Sequence, residues 1–563
     1  MRRIDLHLEG ATQGAMEVAR TRLALPIFLF LLGFSCLIIR LVSISMFEDL
    51  EEGRTLALSV QKEIVMERAD IVDRNGIVLA TNLTSPALGV RPKLIADAVA
   101  ATEEIIAILP ELSRTSVLNK LRSSRNFLYL KRNLTPKQVW QINALGYPGL
   151  ILEKAEKRIY PQGSLVSHVL GFVNVGNKPQ AGVEKFFNDH LSNPERSHEP
   201  LVLSLDGRVQ HILREELKQA MDRFSAEGAS GIVMNVNNGE ILAMTSLPDF
   251  EPNKPIDPNA KHMLNRNIQG VYELGSGFKT FTVAMALDSG VSSLQGRYDA
   301  SEPLRVADIV IHDDHAKNRW LSVPEIYTYS SNIGSALMAR EIGLDRQKAY
   351  LERLGMFEKT PLEISGAASP LLPRRWGEVE SMTVSYGHGI AVSPLHLVSG
   401  IAAIVNGGRL IPATLLRQDD HQDLRQFKDQ AKQVISADTS RKMRRLMRLA
   451  VEYGTGGHAR AEGYQVGGKT GTAEKVSEGR YDKKALLSSF VGVFPMDKPE
   501  YVIFAMLDEP QGIKETLGYA SAGWTAAPVV GKVIERIGPL LGVMPHNKPD
   551  MEQDDLILLS AEE

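Results

Sequence analysis

The sequence predicts a mixed α/β fold of the α+β kind. An antiparallel sheet covered by helices is preceded by a single transmembrane helix and an elongated α+β stalk. Three observations lead there. The chain has 563 residues, more than one hydrophobic core accommodates, so two or more domains are expected. A long uncharged apolar run stands near its start. Beyond residue 200, two strand-like runs come early and three late, with helical patterns between them, as in a sheet that packs helices on its faces.

The apolar run is Leu23–Ile39, extended past Arg40 to Phe47, so that residues 23–47 are long enough to cross a bilayer. Arg40 reaches back to the interface. A cleaved signal peptide is disfavoured because no small-x-small site follows, and a core helix would show a polar face. Arg2, Arg3, Arg20 and Arg22 precede the run, while Glu48, Asp49, Glu51 and Glu52 follow it. The excess of arginine places residues 1–22 in the cytoplasm and the bulk of the chain outside. The one cysteine, Cys36, lies inside the run, which leaves the external part without a disulfide, a thiolate metal site or a cysteine nucleophile. A net charge of −3 gives no electrostatic case for binding nucleic acid.

Residues 48–200 form the expected stalk. Arg74-Asn75-Gly76 marks a hairpin between apolar strands. Residues 95–146 read as helical, with cap-like starts at Thr115 and at Thr135-Pro136. Asn188–Pro200 is polar and proline-containing, a boundary or long loop. In residues 201–546, Asp206–Phe224 has amphipathic spacing. Asn237-Asn238-Gly239-Glu240 joins the two early strands, and 272–354 reads as mostly helical. Gln465–Lys475, Leu487–Phe494 and Tyr501–Leu507 are the late strands, followed by a helix from Thr525. Residues 547–563 are acidic and weakly patterned, an expected disordered tail.

The chemistry concentrates in Ser276-Gly277-Phe278-Lys279. Gly275 leads into an apolar helical run, so Ser276 sits near a helix start, and Lys279 at i+3 shares its face. An amine beside a hydroxyl is the minimum that makes a serine nucleophilic without a histidine. The helix start adds unpaired N–H donors that favour developing negative charge. A second Ser-x-x-Lys occurs at Ser59–Lys62, without the glycine entry, and a helix cap followed by a solvated lysine is the plain alternative for either match. Ser330-Ser331-Asn332 and Lys469-Thr470-Gly471-Thr472 follow in order. For each, a loop, a cap or a water-facing strand is again the bland reading. His312-Asp313-Asp314-His315 offers metal-ligand types, against a solvated-loop alternative.

The ordered set Ser-x-x-Lys, Ser-x-Asn and Lys-Thr-Gly is the signature of penicillin-binding proteins and serine β-lactamases. With it come Arg68–Gly76, Arg158–Pro161, Gly182-Val183-Glu184, Tyr386–Gly389, Asn406–Gly408 and Gly454–Gly456. Over nearly its whole length the chain resembles class B penicillin-binding proteins, most closely their division-specific peptidoglycan transpeptidases of alphaproteobacterial type. Leu274 and Thr280 replace usual prolines, Gly277 replaces a side chain, and His388 replaces a frequent glutamine. A glycine at 277 is expected to weaken the first helical turn slightly.

The resemblance implies a penicillin-binding/β-lactamase-like transpeptidase domain at 201–546, with a pedestal of the dimerisation type at 48–200. It implies acyl transfer from the D-Ala-D-Ala end of a stem peptide through Ser276, with Lys279 as base. Lys469, Thr470, Gly471 and Thr472 would hold the substrate carboxylate. Ser330 would relay a proton, and Asn332 would orient Lys279 and the substrate amide. The oxyanion would meet the N–H groups of Ser276 and Thr472. No metal or organic cofactor is implied. Implied partners are peptidoglycan stem peptides, β-lactams as covalent inhibitors, a membrane glycosyltransferase of the FtsW type and other divisome proteins. The implied location is the bacterial inner membrane at the division septum. An elongation-specific relative and a non-catalytic penicillin-binding scaffold or sensor are the alternatives. A soluble β-lactamase would need neither anchor nor stalk.

Overall fold

Period-two burial organises the larger part of the molecule. In a computed structural model, residues 28, 30–42, 68–174, 176–254, 256–257, 260–418, 431–477 and 480–545 are described. From Glu67 onward the chain forms one compact unit. Before it, residues 30–42 are helical with exposed apolar side chains. Among the described residues no helix is long and apolar enough to cross a membrane. The ends of the expected span 23–47, the second Ser-x-x-Lys match and the acidic tail lie outside the described residues.

The pedestal contains β1 (Ile71–Val72), β2 (Val78–Val90), α1 (Ala98–Ile108), α2 (Arg114–Leu121), β3 (Leu128–Lys131), α3 (Pro136–Ala144), β4 (Leu150–Ile159) and β5 (Leu201–Val202). The expected hairpin joins β1 to β2: Asp73 Oδ1 accepts from the N–H groups of Asn75 and Ile77, both at 2.8 Å. Thr135 and Gln138 form a reciprocal cap at the start of α3, with Pro136 in its first turn. Three expectations need correction. The 95–146 stretch is not continuously helical, because β3 interrupts it and pairs with β2. The second helix begins at Arg114, behind Ser113 rather than Thr115. Strand β4, which pairs with β2 over ten positions, has too many charges to read as a strand in isolation.

Beyond the pedestal come α4 (Gly207–Arg223), β6 (Gly228–Asn235), β7 (Ile241–Leu247), α5 (Lys279–Asp288) and the short strands β8 (Arg297–Asp299), β9 (Leu304–Val306), β10 (Ile309–Ile311) and β11 (Trp320–Ser322). These last four pair as β8 with β11 and β9 with β10, so the 272–354 region is less purely helical than its pattern suggests. Helices α6 (Val323–Tyr329), α7 (Asn332–Ile342), α8 (Leu344–Arg353), α9 (Glu378–Ser385) and α10 (Pro394–Val405) follow. Then come β12 (Arg409–Leu410), β13 (Lys432–Gln433), α11 (Ala437–Glu452), β14 (Gly467–Ser477), β15 (Arg480–Phe494), β16 (Tyr501–Asp508) and α12 (Ala526–Ile537).

The main sheet has the order β14-β15-β16-β6-β7, antiparallel throughout. Its side chains alternate between two cores. Ile232, Met234, Phe504 and Met506 pack with α5, α10 and α11 on one face. Val233, Ile503, Ala505 and Leu507 pack with α4 and α12 on the other. Both faces are therefore dry, which is why β16 is buried at every position. Lys-Thr-Gly lies on β14, an edge strand, and edges leave one row of backbone groups unpaired.

The base of the pedestal has no separate core. Ala69, Ile71, Leu79, Tyr160, Val169 and Leu201 belong to the same buried cluster as α5 and α10. The chain at 201–206 joins the two parts: β5 runs parallel to β1, Leu203 N–H bonds to Val72 O, and Ser204 N–H to Leu415 O. Only the far end of the pedestal, under α1 to α3, has its own core.

Candidate active site

Helix α5 is buried on every side, at each residue from Lys279 to Leu287. Its first residue is thereby drawn inside: Lys279 is 1% exposed. Ahead of it, Gly275–Phe278 makes a 3-10 turn that carries Ser276, so the expected helix-start setting is present. Gly275 adopts φ +53°, and a Cβ there would lie 2.6 Å from the carbonyl oxygen of Thr472. A Cβ on Gly471 would lie 2.5 Å from Leu274 O. Glycine on both sides lets the serine turn touch the open edge of β14. In a strand, the N–H and C=O of one residue point the same way. The N–H of Thr472 therefore faces the serine turn, as its carbonyl does.

Gly277 differs from Gly275. Its φ is not left-handed, and a Cβ there would meet Leu397 methyl carbons at 3.4 and 3.5 Å, an ordinary contact. The local backbone does not require glycine at 277.

The second motif arrives from α6 and α7. Ser330 caps the C-terminus of α6 in the left-handed conformation, φ 62° and ψ 46°, a conformation that costs a non-glycine residue ~1–2 kcal/mol. This turn aims its carbonyl and hydroxyl at Lys279. The Lys279 amine donates to Ser330 O and, at 3.0 Å, to Ser330 Oγ, rather than to the hydroxyl of Ser276. The Lys469 amine donates to the same Ser330 Oγ at 2.9 Å. Lys469 is also 1% exposed, and its amine stands 5.9 Å from the centroid of the Tyr327 ring. Burial pulls the pKa of Lys279 down to about 7, with Asp313 and then Asp314 pulling the other way. Burial, and then the charge of Lys279, hold Lys469 well below the ordinary lysine value.

Asn332 is held by the loop after β10. Its side-chain amide donates to His312 O at 2.8 Å, not to a group at Lys279. Its neighbour Asp313, in the stretch His312–His315 whose favoured reading is a solvated loop, is tied to the start of α7 instead. Asp313 Oδ1 accepts from the N–H groups of Asn332 (2.6 Å) and Ile333 (2.9 Å), and Oδ2 accepts from Ser331 Oγ (2.7 Å). Among the described residues no three His, Cys, Asp or Glu side chains are grouped to hold a metal.

Two further residues support the site. Thr455, in the Gly454–Gly456 stretch, shares a hydrogen bond with Thr470 at 2.7 Å between the two Oγ1 atoms. Glu273 accepts from Gly389 N–H (2.9 Å) and from Tyr481 OH (3.0 Å). The His388 ring lies between Tyr386 and Tyr481, with centroids 5.2 and 5.8 Å away. Burial lowers the His388 pKa, and the charge of Lys279 bears on it. Thr472 Oγ1 accepts from Ala522 N–H at 3.1 Å, which ties the loop after β16 to β14.

Comparisons with known proteins agree with this geometry. Residues 229–535 match the penicillin-binding protein transpeptidase domain and residues 63–196 the penicillin-binding protein dimerisation domain. A probable peptidoglycan D,D-transpeptidase FtsI of Caulobacter vibrioides is 39% identical, covering 84% of this chain and 82% of its own. Stage V sporulation protein D of Bacillus subtilis is 32% identical over 85% of this chain and 79% of its own. Among solved structures, a penicillin-binding protein 3 of Mycobacterium tuberculosis, complexed with aztreonam, superposes with a TM-score of 0.68. It is 23% identical and is covered to 98%, against 86% of this chain. The serine turn, the paired lysines and the Lys-Thr-Gly edge thus stand within a shared fold, and the chain belongs to the class B penicillin-binding proteins, with a dimerisation domain ahead of a transpeptidase domain.

Proposed function

We propose that the protein is a peptidoglycan D,D-transpeptidase that cross-links stem peptides of the septal cell wall through a serine acyl-enzyme. The observation that carries this reading is the pair of buried lysines on one serine hydroxyl beside the Ser276 turn. A lysine titrating near 7 is a competent base at neutral pH, which a lysine near ~10.4 is not.

Ser276 Oγ attacks the penultimate D-Ala carbonyl while its proton passes to the neutral amine of Lys279. The N–H groups of Ser276 and Thr472 meet the oxyanion. One such donor is worth about 10²–10³ in rate. The C–N bond then breaks as Ser330 delivers a proton to the departing D-alanine amine and regains one from Lys279. An amine of a second stem peptide then takes the acyl group, losing its proton to Lys279, which returns one to Ser276 Oγ. Lys469, Thr470, Gly471 and Thr472 receive the substrate carboxylate, and Asn332 contacts the substrate amide. β-Lactams acylate the same serine.

The apolar helix at 30–42 supports a single-pass anchor over 23–47, with the catalytic part external in the periplasm. An FtsW-type glycosyltransferase and other divisome proteins would meet the anchor and pedestal. The division role rests on the FtsI-named relatives. Depletion in cells is expected to give filaments, and rounded cells would point to elongation instead. For the chemistry, the full-length protein is incubated with a fluorescent penicillin and weighed intact. One adduct on Ser276 is expected, absent in Ser276→Ala and retained in Ser59→Ala. Labelling that survives Ser276→Ala sinks the assignment.

A further inference from the structure

The two lysines at Ser330 carry no direct carboxylate partner, yet their surroundings are not free of negative charge. The groups that bear on the Lys279 amine are Lys469 from β14, Asp313 and Asp314 from the loop after β10, and His388 from the loop after α9. Tyr327 from α6 faces α5 as a neutral group, bonded to Thr280. Of the two acids, Asp314 is exposed, and Asp313 is partly buried and fixed by three hydrogen bonds.

Those three bonds have a consequence for the site. They are made to the segment that directly follows Ser330. Ser331 caps α7 by accepting from Gly334 N–H at 3.0 Å, and Asp313 holds the hydroxyl of that same Ser331. It also takes two of the unpaired N–H groups at the start of α7. Ser330 sits in a strained left-handed turn between α6 and α7, and such a turn persists only where its flanks are held.

We propose that Asp313 is a positioning residue for the reaction, fixing the Ser330–Asn332 turn through the start of α7 and supplying the fixed anion that offsets the buried Lys279 amine. The proposal rests on the reading of Ser276 and Lys279 given above. Holding the turn keeps Ser330 Oγ within reach of both lysines. The charge raises the proton affinity of Lys279, so its loss frees the amine at lower pH.

An amide at 313 keeps acceptor and donor groups for the start of α7 but removes the charge, and alanine removes both. Full-length wild type, Asp313→Asn and Asp313→Ala are compared by the second-order rate of acylation with a fluorescent penicillin from pH 5 to 10, with thermal melting alongside. For Asp313→Asn the acid limb is expected to move down by about half a pH unit, giving acylation roughly threefold faster than wild type near pH 5.5. Its plateau stays within about threefold of wild type. Asp313→Ala is expected to lose tenfold or more of the plateau. Superimposed acid limbs of wild type and Asp313→Asn overturn the electrostatic role even if the alanine variant fails to fold. A wild-type plateau in a folded Asp313→Ala overturns the anchoring role. A wild type that is not acylated, or is acylated away from Ser276, refutes the parent reading instead.

Discussion

Lys279 and Lys469 reach one oxygen, Ser330 Oγ, at 3.0 and 2.9 Å. Two full charges that share one hydroxyl repel each other at short range. Both amines are buried, so the pair favours holding fewer than two protons near neutrality.

The acylation rate follows from this. The reactive form is the neutral Lys279, whose pKa burial lowers to about 7, so the rate rises with pH through that value. Lys469→Met removes the like charge and shifts the limb to higher pH, at the same time weakening carboxylate binding. Stopped-flow acylation across pH checks both. A limb that Lys469→Met leaves in place contradicts the coupling.

Folding stability has the same sign. The unfolded lysine keeps its proton up to ~10.4, whereas the folded one releases it near 7, so between these values the unfolded state binds more protons. The contribution of Lys279 to stability therefore increases as pH rises across that window. Comparing denaturant midpoints of wild type and Lys279→Met at pH 7 and 9 isolates it: the gap between them shifts in favour of wild type at pH 9.

Gly275 and Gly277 are two positions apart and should respond oppositely. Alanine at 275 requires a left-handed φ and places Cβ 2.6 Å from Thr472 O, so a loss of 2 kcal/mol or more and collapse of acylation are expected, on the scale of other strained substitutions (~1–3 kcal/mol). Alanine at 277 only touches Leu397 and removes the conformational cost of glycine at a helix start, up to ~1 kcal/mol. Its melting temperature should hold or rise, with acylation within threefold of wild type. A disrupted Gly277→Ala would mean that the turn must open in a way glycine alone permits.

Thr455→Val takes away one of two partners of Thr470 Oγ1, leaving the Lys469 amine at 3.3 Å. An intramolecular hydrogen bond contributes about 1 kcal/mol, so half-saturation by a β-lactam should need roughly fivefold more compound. The limiting acylation rate should change little if Thr470, as proposed, meets the carboxylate and not the reacting carbonyl. A fall confined to the limiting rate would place Thr470 elsewhere.

In the pedestal, Glu184 is fully buried between Arg68 and Arg158, at 2.9 and 2.7 Å. Glu184→Gln leaves two buried guanidinium groups without their counter-charge and should cost about 3–5 kcal/mol, seen as a lower denaturant midpoint. Loss of less than 1 kcal/mol would mean that water reaches the pair.

Much of the main sheet was legible because β6, β7, β15 and β16 are apolar and bounded by turn residues, and the turn at 237–240 closes one pair. The serine turn was legible from Gly275 and the uninterrupted apolar run of α5. What escaped shares one cause: partners far apart in sequence. Strand β4 is charged and is a strand only because β2 lies beside it. Asp313 read as part of a solvated loop because its actual partners, the N–H groups of Asn332 and Ile333, are invisible until α7 is docked. Lys279 was expected beside Ser276 by helical spacing, but the left-handed turn at Ser330 offers its amine a nearer acceptor.

The continuity of the buried cluster from Ala69 and Tyr160 to α5 bears on how the chain can be divided. A cut at residue 200 would tear one core in two, so residues 201–546 alone would bare the apolar surface that Ile71, Leu79 and Val169 cover and should aggregate. Force applied at the base of the pedestal would act directly on the walls around α5. A partner that gripped this region would strain a core shared with α5, with no domain boundary between them.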